Sequence, residues 1–375
     1  MNNKKILFIV SEDWYFYSHR LELAIEGIKR GNKISLLTNY QNHKNLIKKN
    51  NIETYELGNF RGKLSFINEL KNLYTLYKII NLVKPNIIHA VSIKISIYSA
   101  IINIVTKTNT LVAAISGLGY HYTSKKKSSI IYSYIINCLI QSFLRNKKTH
   151  IIVQNPDDMK ILNNLNIGKK NISLIKGVGV NTKKFSPNNI SNDIPRVILA
   201  CRMLWSKGIK TFVECAEQIK KEGYEVDFIL AGKPDEKNPD SVPKNILEEY
   251  NKNNIIKWIG HVEDISKELV HYDIMLFPSL YGEGVPKILL EAASTSLPII
   301  TYDVPGCREV VIDGVNGFLI KADDKKELIK RLKELILDLE LRVSLGKNGR
   351  KIIVNSFSSD DMNNETIKVW NKINI

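Results

Sequence analysis

The sequence has 375 residues, of which 44% are hydrophobic and 25% are charged. This length and composition suit two soluble globular domains of roughly 100–200 residues each, and they exclude a small disulfide-stapled scaffold. Lysine and arginine number 54 against 38 aspartate and glutamate, which gives a formal net charge of +16. That excess favours an anionic partner, whether a nucleotide, a nucleic acid or an acidic lipid surface.

The cysteines and the N-terminus indicate in which cellular compartment the protein works. No two of Cys138, Cys201, Cys215 and Cys307 have the C-x-x-C spacing of a metal or redox site. The first apolar run ends at Glu12 after about six residues, which is too short for the core of a signal peptide. No stretch reaches the roughly 18 uninterrupted apolar residues of a membrane-spanning helix. We therefore expect a cytoplasmic protein that is able to lie against a membrane.

Short apolar runs rich in isoleucine and valine alternate with longer amphipathic stretches along the chain. This pattern predicts buried parallel strands with helices on both faces of the sheet, in two successive arrays. The first array has strands at 5–10, 33–38, 86–91, 110–116 and 150–155, and the second has strands at 196–202, 227–232, 255–260, 273–278 and 297–303. The predicted fold class is therefore α/β, with two doubly wound Rossmann-like domains.

The predicted domain bounds follow from the same pattern. A first domain spans 1–180, a polar linker with two prolines spans 181–195, and a second domain spans 196–355. Residues 356–375 predict a capped terminal helix that begins near Ser359. Ligands of such sheets bind in loops at the carboxyl ends of the strands, so two domains face to face would share a site in the cleft between them.

The strongest constellation follows the strand that ends at Phe277. A helix is predicted to begin near Pro286, because proline is tolerated in a first helical turn. Gly284, Val285 and Pro286 then bring backbone N–H groups and the positive end of a helix to one point. The sequence therefore predicts an anion site here, suited to a diphosphate.

Two glutamates accompany this site. Glu283 lies just before the helix, and Glu291 lies about two turns inside it. One carboxylate is suited to accept hydrogen bonds from sugar hydroxyls and the other to bind the ribose hydroxyls of a nucleotide. The competing interpretation of Glu283 is a surface carboxylate that stabilises the helix start.

A second constellation lies in the loop after the strand at 196–202. Arg202 and Lys207 are predicted to hold the two phosphates and to neutralise charge on a departing nucleoside diphosphate. A solvated lysine and a surface ion pair are the competing interpretation. Gly232 and His261 come at the ends of further strands, where a glycine lets the backbone approach a flat base.

These residues carry a resemblance to a known family. The pattern R-x4-K-G (202–208) followed by E-x7-E (283–291) resembles the donor site of retaining glycosyltransferases of the GT-B type, family 4. The segments at 8–24, 112–125, 151–159, 282–294 and 303–318 are similar to a bacterial subgroup of N-acetylhexosaminyl (α-1,3-N-acetylgalactosaminyl-type) transferases that extend polyprenyl-diphosphate-linked oligosaccharides for O-antigen, capsule or protein glycans.

The resemblance implies a UDP-sugar donor, plausibly a UDP-N-acetylhexosamine, and an α linkage in the product. It assigns Arg202 and Lys207 to the diphosphate, Glu283 to the donor sugar and Glu291 to the ribose, and it places the terminal helix across the first domain. Glu283, Lys207 and Arg202 are therefore the predicted catalytic residues. Relatives in the wider family carry a histidine near the reacting sugar. His121 lies close to that position, but we do not assign it to catalysis.

Retention in this fold is described as a same-face reaction in which the leaving phosphate helps to take the acceptor proton. The protein then supplies positioning and charge stabilisation. No D-x-D motif stands in a strand-end loop, and the aspartate pairs at 157–158, 323–324 and 360–361 suit helix starts. We therefore expect no cofactor and no required divalent metal.

The first half is expected to bind the acceptor, a polyprenyl-diphosphate-linked saccharide. Candidate contacts are His19, Arg20, His89, Lys94, Gly117 and His121, with Arg61 and Lys63 on the same basic face. The apolar and aromatic stretch at 128–144 lies between Lys125, Lys126 and Lys127 on one side and Arg145, Lys147 and Lys148 on the other. Such a helix suits the anionic inner face of a bacterial membrane, and a packed helix with solvated ends is the competing interpretation.

Two other functions fit parts of this pattern. A UDP-sugar 2-epimerase or nucleotide-linked hydrolase of the same fold would need acid and base groups around the sugar ring, and no such set stands out. A nucleic-acid-binding protein would interleave basic residues with exposed aromatic ones. Here the aromatic residues fall mostly in apolar runs, so we expect no nucleic acid partner.

Overall fold

The computed structural model describes residues 3–58, 66–106, 110–118, 127–187 and 192–373. The chain divides into two compact units. The first unit comprises Met1–Val178 together with Asp360–Ile375, and the second comprises Gly179–Ser359. Among the described helices, none is long and apolar enough to cross a membrane.

The described part of the first unit contains a sheet of seven parallel strands in the order β3-β2-β1-β4-β5-β6-β7. These strands are β1 (Lys5–Glu12), β2 (Lys33–Asn39), β3 (Glu53–Glu56), β4 (Ile87–Val91), β5 (Thr110–Ile115), β6 (Thr149–Val153) and β7 (Ile172–Leu174). Its α-helices are Asp13–His19, Leu21–Lys29, Lys44–Lys48, Phe66–Val83, Ile93–Thr106, Lys127–Leu139, Pro156–Asn164 and Ser359–Lys372, with a π-helical turn at Ile140–Leu144 and a 3₁₀ turn at Lys169–Asn171.

The second unit repeats the plan with six parallel strands in the order β10-β9-β8-β11-β12-β13, counted over its described residues. These strands are β8 (Arg196–Ala200), β9 (Asp227–Ala231), β10 (Lys257–Trp258), β11 (Ile274–Phe277), β12 (Ile299–Tyr302) and β13 (Gly317–Ile320). Its α-helices are Ile209–Lys221, Lys244–Lys252, Ile265–Leu269, Lys287–Ser294, Lys325–Leu337 and Leu339–Ser356, with 3₁₀ turns at Trp205–Lys207 and Cys307–Glu309.

The prediction of two doubly wound parallel sheets is confirmed. All ten predicted strands are present, and the structure adds β3, β7 and β13, which are short or lie at a sheet edge. In both sheets the strand order reverses beside the first strand of the unit, between β1 and β4 and between β8 and β11. Loops at the carboxyl ends of these two pairs of strands flank the crevice in which such sheets bind ligands.

Helices on both faces explain why the central strands are apolar throughout. In β1, Ile6, Phe8 and Val10 face one buried cluster, whereas Leu7 and Ile9 face the other. Alternate residues of a strand point to opposite faces of its sheet, so a strand buried on both sides needs apolar residues at every position.

The polar segment after the first unit is partly packed. Residues 179–187 belong to the second unit, although the sequence analysis assigns 181–195 to a linker. Phe185 is buried in the core of the second unit, and the Arg350 guanidinium donates hydrogen bonds to the carbonyl oxygens of Phe185 (2.6 Å) and Thr182 (2.8 Å). One apolar side chain among polar neighbours is enough to anchor this stretch.

The terminal helix Ser359–Lys372 packs in the first unit through Trp370, which is buried. The Trp370 indole Nε1–H donates to Nδ1 of His89 in β4 (3.1 Å), and Lys4 Nζ donates to the Trp370 carbonyl oxygen (2.7 Å). Because the indole is only a donor, the neutral His89 ring carries its proton on Nε2. Burial, and secondly the charge of Arg20, lowers the pKa of His89 well below its ordinary value.

This arrangement predicts that the first unit loses stability in mild acid. Below a pH of about 6.5 the unfolded chain protonates His89 and the folded chain does not, so the free energy of unfolding falls as the pH drops. For this one group the loss is at most about 1.4 kcal/mol per pH unit. Denaturant unfolding between neutral pH and mild acid measures it.

The matched variant is His89→Gln, which keeps an acceptor for the Trp370 indole but does not titrate. Its stability should depend less steeply on pH than that of the unchanged chain over the same interval. If the free energy of unfolding depended equally on pH in the two chains, His89 would take up its proton as readily in the folded state as in the unfolded chain, which would contradict the prediction.

Candidate functional site

The loops that follow β8 and β11 form the candidate site of the second unit. These strands are neighbours, with Met275 opposite Ile198, so their carboxyl ends meet at the same edge of the sheet. The loop after β8 carries Arg202 and Lys207, and the loop after β11 carries Glu283. Residues separated by about eighty positions in the sequence thereby lie at one crevice.

Close backbone contacts hold the two loops together. Gly208 has φ +82°, and a Cβ atom at this position would lie 2.0 Å from the carbonyl oxygen of Pro278. Only glycine fits, because any side chain would collide with backbone. The N–H of Leu280 also donates to the carbonyl oxygen of Ser206 (3.1 Å). Lys207, next to Gly208, is therefore fixed against the loop after β11.

Lys207 and Glu283 form an ion pair between their Nζ and Oε1 atoms. The Ser279 hydroxyl donates to the same Glu283 oxygen (3.2 Å). The side chains of Lys207 and Glu283 are only 16% and 25% exposed, so the pair is shielded from water but remains reachable. The structure therefore brings together two of the three residues that the sequence predicts to be catalytic.

A third loop, after β12, supports the glutamate. The N–H of Glu283 donates to the carbonyl oxygen of Pro305 (3.0 Å). Gly306 has φ +85°, and a Cβ there would lie 2.0 Å from the carbonyl oxygen of Gly284. Ser279, Pro305 and Gly306 were missed in the sequence analysis of the site, although the motif at 303–318 pointed to this loop.

Arg202 has a different partner. Its Nη1 donates to Oδ2 of Asp235 (2.8 Å), which lies in the loop after β9. The Asp235 N–H in turn donates to the Ser241 hydroxyl (3.0 Å). The Arg202 side chain is 40% exposed, so a ligand is able to reach it. No feature of the sequence alone identified Asp235 as this partner.

Gly232 and His261 lie beside this loop. A Cβ at Gly232 would lie 1.8 Å from the carbonyl oxygen of Cys201, so this glycine serves the contact between β8 and β9 loops. Its N–H donates to the carbonyl oxygen of Gly260 (2.6 Å). His261 is exposed after β10. The glycine that the sequence analysis assigns to a flat base is therefore required by the fold itself, and the base contact stays a prediction.

The helix Lys287–Ser294 begins directly after Pro286. The N–H groups of a first helical turn have no acceptor inside the helix, and they carry the positive end of the helix dipole. Lys287 adds a cation there, and its Nζ lies 2.9 Å from Oε1 of Glu291. Glu291 is 6% exposed. It is therefore paired within its own helix, and its predicted contact with a ribose stays a prediction.

Two cysteines border the site without being nucleophiles. Burial raises the pKa of Cys201 and of Cys307 to about 12. A thiol with such a pKa is protonated at neutral pH, and the protonated form is neither a nucleophile nor a metal ligand. In the described ranges, no group of three or more histidine, cysteine, aspartate or glutamate side chains is placed to hold a metal ion.

The first unit places the predicted acceptor residues in different settings. The His19 ring stacks on Tyr15 with 4.2 Å between centroids, and Lys94 Nζ pairs with Glu69 Oε1 (2.7 Å). His89 lies in the core against Trp370, so it has a structural contact. Arg20 is buried at the loop after β1, and its charge contributes to the lowered pKa of His89.

Gly117 and His121 were the remaining acceptor candidates. Gly117 has φ +113° at the end of β5, where the following residue, Leu118, donates its N–H to Asp158 Oδ1 (3.2 Å). Burial raises the pKa of Asp158 to about 6. His121 lies outside the described residues, as do Arg61, Lys63, Lys125 and Lys126.

Two protein families match the chain. The description "Glycosyl transferase 4-like" matches residues 5–155, and "Glycosyl transferases group 1" matches residues 180–352. The first match falls in the first unit and the second in the second unit, which carries the Lys207–Glu283 pair.

Characterised relatives include two bacterial transferases. An N,N'-diacetylbacillosaminyl-diphospho-undecaprenol alpha-1,3-N-acetylgalactosaminyltransferase from Campylobacter jejuni is 29% identical, over 77% of each chain. A UDP-Gal:alpha-D-GlcNAc-diphosphoundecaprenol alpha-1,3-galactosyltransferase from Escherichia coli is 27% identical, over 79% of this chain and 77% of the relative. Neither relative is an epimerase, and the epimerase alternative has no support from the family matches.

Solved structures share the fold. An Anabaena protein in complex with UDP and glucose superposes with a TM-score of 0.77 at 16% sequence identity, over 98% of this chain and 99% of that one. This likeness shows the GT-B fold. With both units matched, the chain belongs to the glycosyltransferases, as a glycosyl transferase 4-like domain followed by a glycosyl transferases group 1 domain.

Proposed function

We propose that this enzyme transfers a sugar, an N-acetylhexosamine in the first instance, from a UDP-sugar to a saccharide carried on a lipid diphosphate, in the assembly of bacterial surface polysaccharides or glycans. The donor binds in the second unit. Both relatives act on diphosphoundecaprenol-linked sugars, and the name of one includes a UDP-sugar donor. The acceptor diphosphate and the donor diphosphate are both anions, which suits a chain with a net charge of +16.

The observation that carries this proposal is the Lys207–Glu283 ion pair beside the first turn of the helix Lys287–Ser294. Lys207, Arg202 and the helix N-terminus supply positive charge where a leaving UDP develops negative charge. Glu283 supplies a carboxylate, held by Lys207 and Ser279, to orient hydroxyl groups of the donor sugar. Glu291 and the loops after β9 and β10, with Gly232 and His261, take the nucleoside.

We further propose that the reaction proceeds with retention of the anomeric configuration. The site consists of cations, a helix end and one carboxylate that is already held by a lysine. Such a set positions the donor and stabilises the departing phosphate, which are the tasks that a same-face reaction leaves to the protein. Anomeric proton signals of donor and product test this stereochemistry.

Removing either charge of the Lys207–Glu283 ion pair should slow transfer. Lys207→Ala and Glu283→Gln should each lower kcat by about 10²–10³, since each removes a charge that is fixed at the reacting end of the donor. The measurement is UDP release from a panel of UDP-sugars with a polyprenyl-diphosphate-linked saccharide as acceptor.

Matched controls lie in the same unit. Lys210→Ala and Glu248→Gln remove the same side-chain types from exposed ion pairs at successive turns of surface helices, and both should leave turnover unchanged. If Lys207→Ala or Glu283→Gln turned over as fast as its control, that residue would have no role in transfer.

We also propose that transfer needs no divalent metal, because the cations of the protein itself lie where a metal would neutralise the diphosphate. Turnover after exhaustive treatment with EDTA should equal turnover in magnesium or manganese. A strong loss that either ion restores would contradict this proposal.

The enzyme is proposed to reach its acceptor by binding an anionic membrane surface with the first unit. The helices Phe66–Val83 and Lys127–Leu139 pack on one face of the first sheet through Leu76, Ile80 and Ile136. Their outward sides expose large apolar residues to an unusual degree: Ile67, Leu70, Tyr74, Tyr77, Ile130, Ile131, Tyr134 and Ile135. Exposed apolar and tyrosine side chains of this kind suit a membrane interface.

Basic residues accompany this apolar surface. Lys71 and Lys78 lie exposed on the helix Phe66–Val83. Arg145, Lys147 and Lys148 follow the helix Lys127–Leu139 in the chain. Lysine and arginine near a surface of acidic lipid each contribute about 1 kcal/mol of attraction. The part of the predicted 125–148 region that the structure describes thus lies on the same face of the first sheet as the helix Phe66–Val83.

Vesicle binding tests this surface. Ile131→Glu with Ile135→Glu should weaken sedimentation with phosphatidylglycerol vesicles by at least about tenfold, because the substitutions add negative charge and remove apolar contact. Leu337→Glu, at a residue 70% exposed on the second unit, is the control and should bind normally. Equal losses in both variants, or equal binding to neutral phosphatidylcholine vesicles, would exclude the proposed surface.

A further inference from the structure

Arg20 lies at the ligand-binding edge of the first sheet. It follows β1 and the short helix Asp13–His19, and it directly precedes the helix Leu21–Lys29. Because β1 and β4 are the pair at which the strand order reverses, this loop occupies the same place in the first unit as the Lys207 loop does in the second.

The guanidinium of Arg20 is buried without a partner. The residue is 6% exposed, and its Nε atom has no hydrogen-bond partner. Among the residues that the structure describes, no carboxylate lies within ion-pair distance of it. Of the three guanidinium nitrogens, only Nε is both fully buried and unpaired. The two Nη atoms are therefore the part of the group that a ligand is able to reach.

The buried Arg342 and the half-buried Arg350 both have hydrogen-bond partners. Arg342, 8% exposed, donates from Nη1 to the carbonyl oxygens of Leu335 (2.6 Å) and Ile336 (2.9 Å). Arg350 binds three carbonyl oxygens and a hydroxyl. Burying a charge without a partner is costly. Arg20 is therefore an exception, and an anionic ligand would balance its charge.

The two acidic residues at the end of β1, Glu12 and Asp13, do not balance this charge. Asp13 Oδ2 accepts the backbone N–H groups of Gln41 (2.9 Å), Asn42 (3.1 Å) and His43 (2.8 Å). Glu12 Oε2 accepts from the Gln41 side chain (2.7 Å). Both carboxylates thus fix the loop after β2, and neither pairs with Arg20.

Two further donors lie near Arg20. The first-turn N–H groups of the helix Leu21–Lys29 have no acceptor within the helix and carry its positive end. His89, close enough for the charge of Arg20 to lower its pKa, has an Nε2 atom without a hydrogen-bond partner among the described residues. The Arg20 guanidinium and the positive end of the helix Leu21–Lys29 together suit the binding of a phosphate group.

We propose that Arg20 and the first turn of the helix Leu21–Lys29 bind a phosphate group, and that this group belongs to the diphosphate of the lipid-linked acceptor. The identity of the ligand rests on the proposed function, whereas the anion site rests on the geometry alone. Arg20 binds substrate in this assignment and takes no part in bond making at the donor.

Calorimetric titration with inorganic pyrophosphate tests the anion site without any turnover. The starting protein is the Arg202→Ala, Lys207→Ala double variant, in which the donor cations are removed. It should still bind pyrophosphate, and adding Arg20→Met should weaken that binding by at least about tenfold. Adding Arg30→Met instead is the matched control and should leave the affinity unchanged, since Arg30 pairs with Glu26 at the surface.

Two readouts of the single variant Arg20→Met separate ligand binding from a structural role. Its thermal midpoint without phosphate should equal or exceed that of the unchanged chain, because an uncompensated charge is removed. Its KM for the lipid-diphosphate acceptor should rise by about tenfold or more while its affinity for UDP is unchanged. A lower midpoint with unchanged pyrophosphate affinity would overturn the proposal.

The remaining outcomes are also decisive. Loss of pyrophosphate binding with an unchanged acceptor KM would mean that the site takes free phosphate, and it would overturn the assignment to the acceptor. If the unchanged chain transferred no sugar to a lipid-diphosphate acceptor, the proposed function would fail, and the calorimetric result would still decide whether the anion site exists.

Discussion

The carbonyl oxygen of Pro278 fills the space that any side chain at position 208 would need, and the candidate donor site depends on this contact. A second contact of the same kind, between Gly306 and the carbonyl oxygen of Gly284, fixes the other side of the loop. Three loops from adjacent parallel strands are thereby pressed together, and the positions of Lys207 and Glu283 follow. A rigid frame of this kind is what electrostatic stabilisation of a leaving group needs, since the charges must be in place before the reaction begins.

The two units use the same topology for different electrostatic tasks. In the second unit the cations Lys207, Arg202 and Lys287 each have a carboxylate partner. These pairs balance the three charges, and the diphosphate of the proposed donor would have to compete with the carboxylates. In the first unit Arg20 lacks such a partner among the described residues. Among the described residues, the anion site proposed in the first unit therefore has no carboxylate that a ligand would have to displace.

Most of the strands and two loops of the candidate site were predictable from the sequence, because the sequence patterns that mark them are local or periodic. Apolar runs flanked by turns identified the central strands, and the R-x4-K-G and E-x7-E spacings identified two loops that the structure brings together. The edge strand β3 was not predicted because its sequence, ETYE, has no continuous apolar run. The strands β7 and β13 were not predicted because they are only three and four residues long. Phe185 was overlooked because a single apolar residue within a polar stretch carries no periodicity. Contacts between distant positions, such as Arg202 with Asp235, depend on which loops the sheet order brings together, and no local pattern encodes that choice.

The terminal helix packs on the first unit although it follows the second unit in the sequence, and this order has a consequence for biosynthesis. The first unit is assembled from two stretches of chain, and Trp370, the indole partner of His89, lies 281 positions after it. A ribosome adds all of residues 179–359 before that tryptophan, so the segment that forms the second unit is synthesised while the first unit still lacks part of its core. The core of the first unit is therefore completed only after Trp370 has been added.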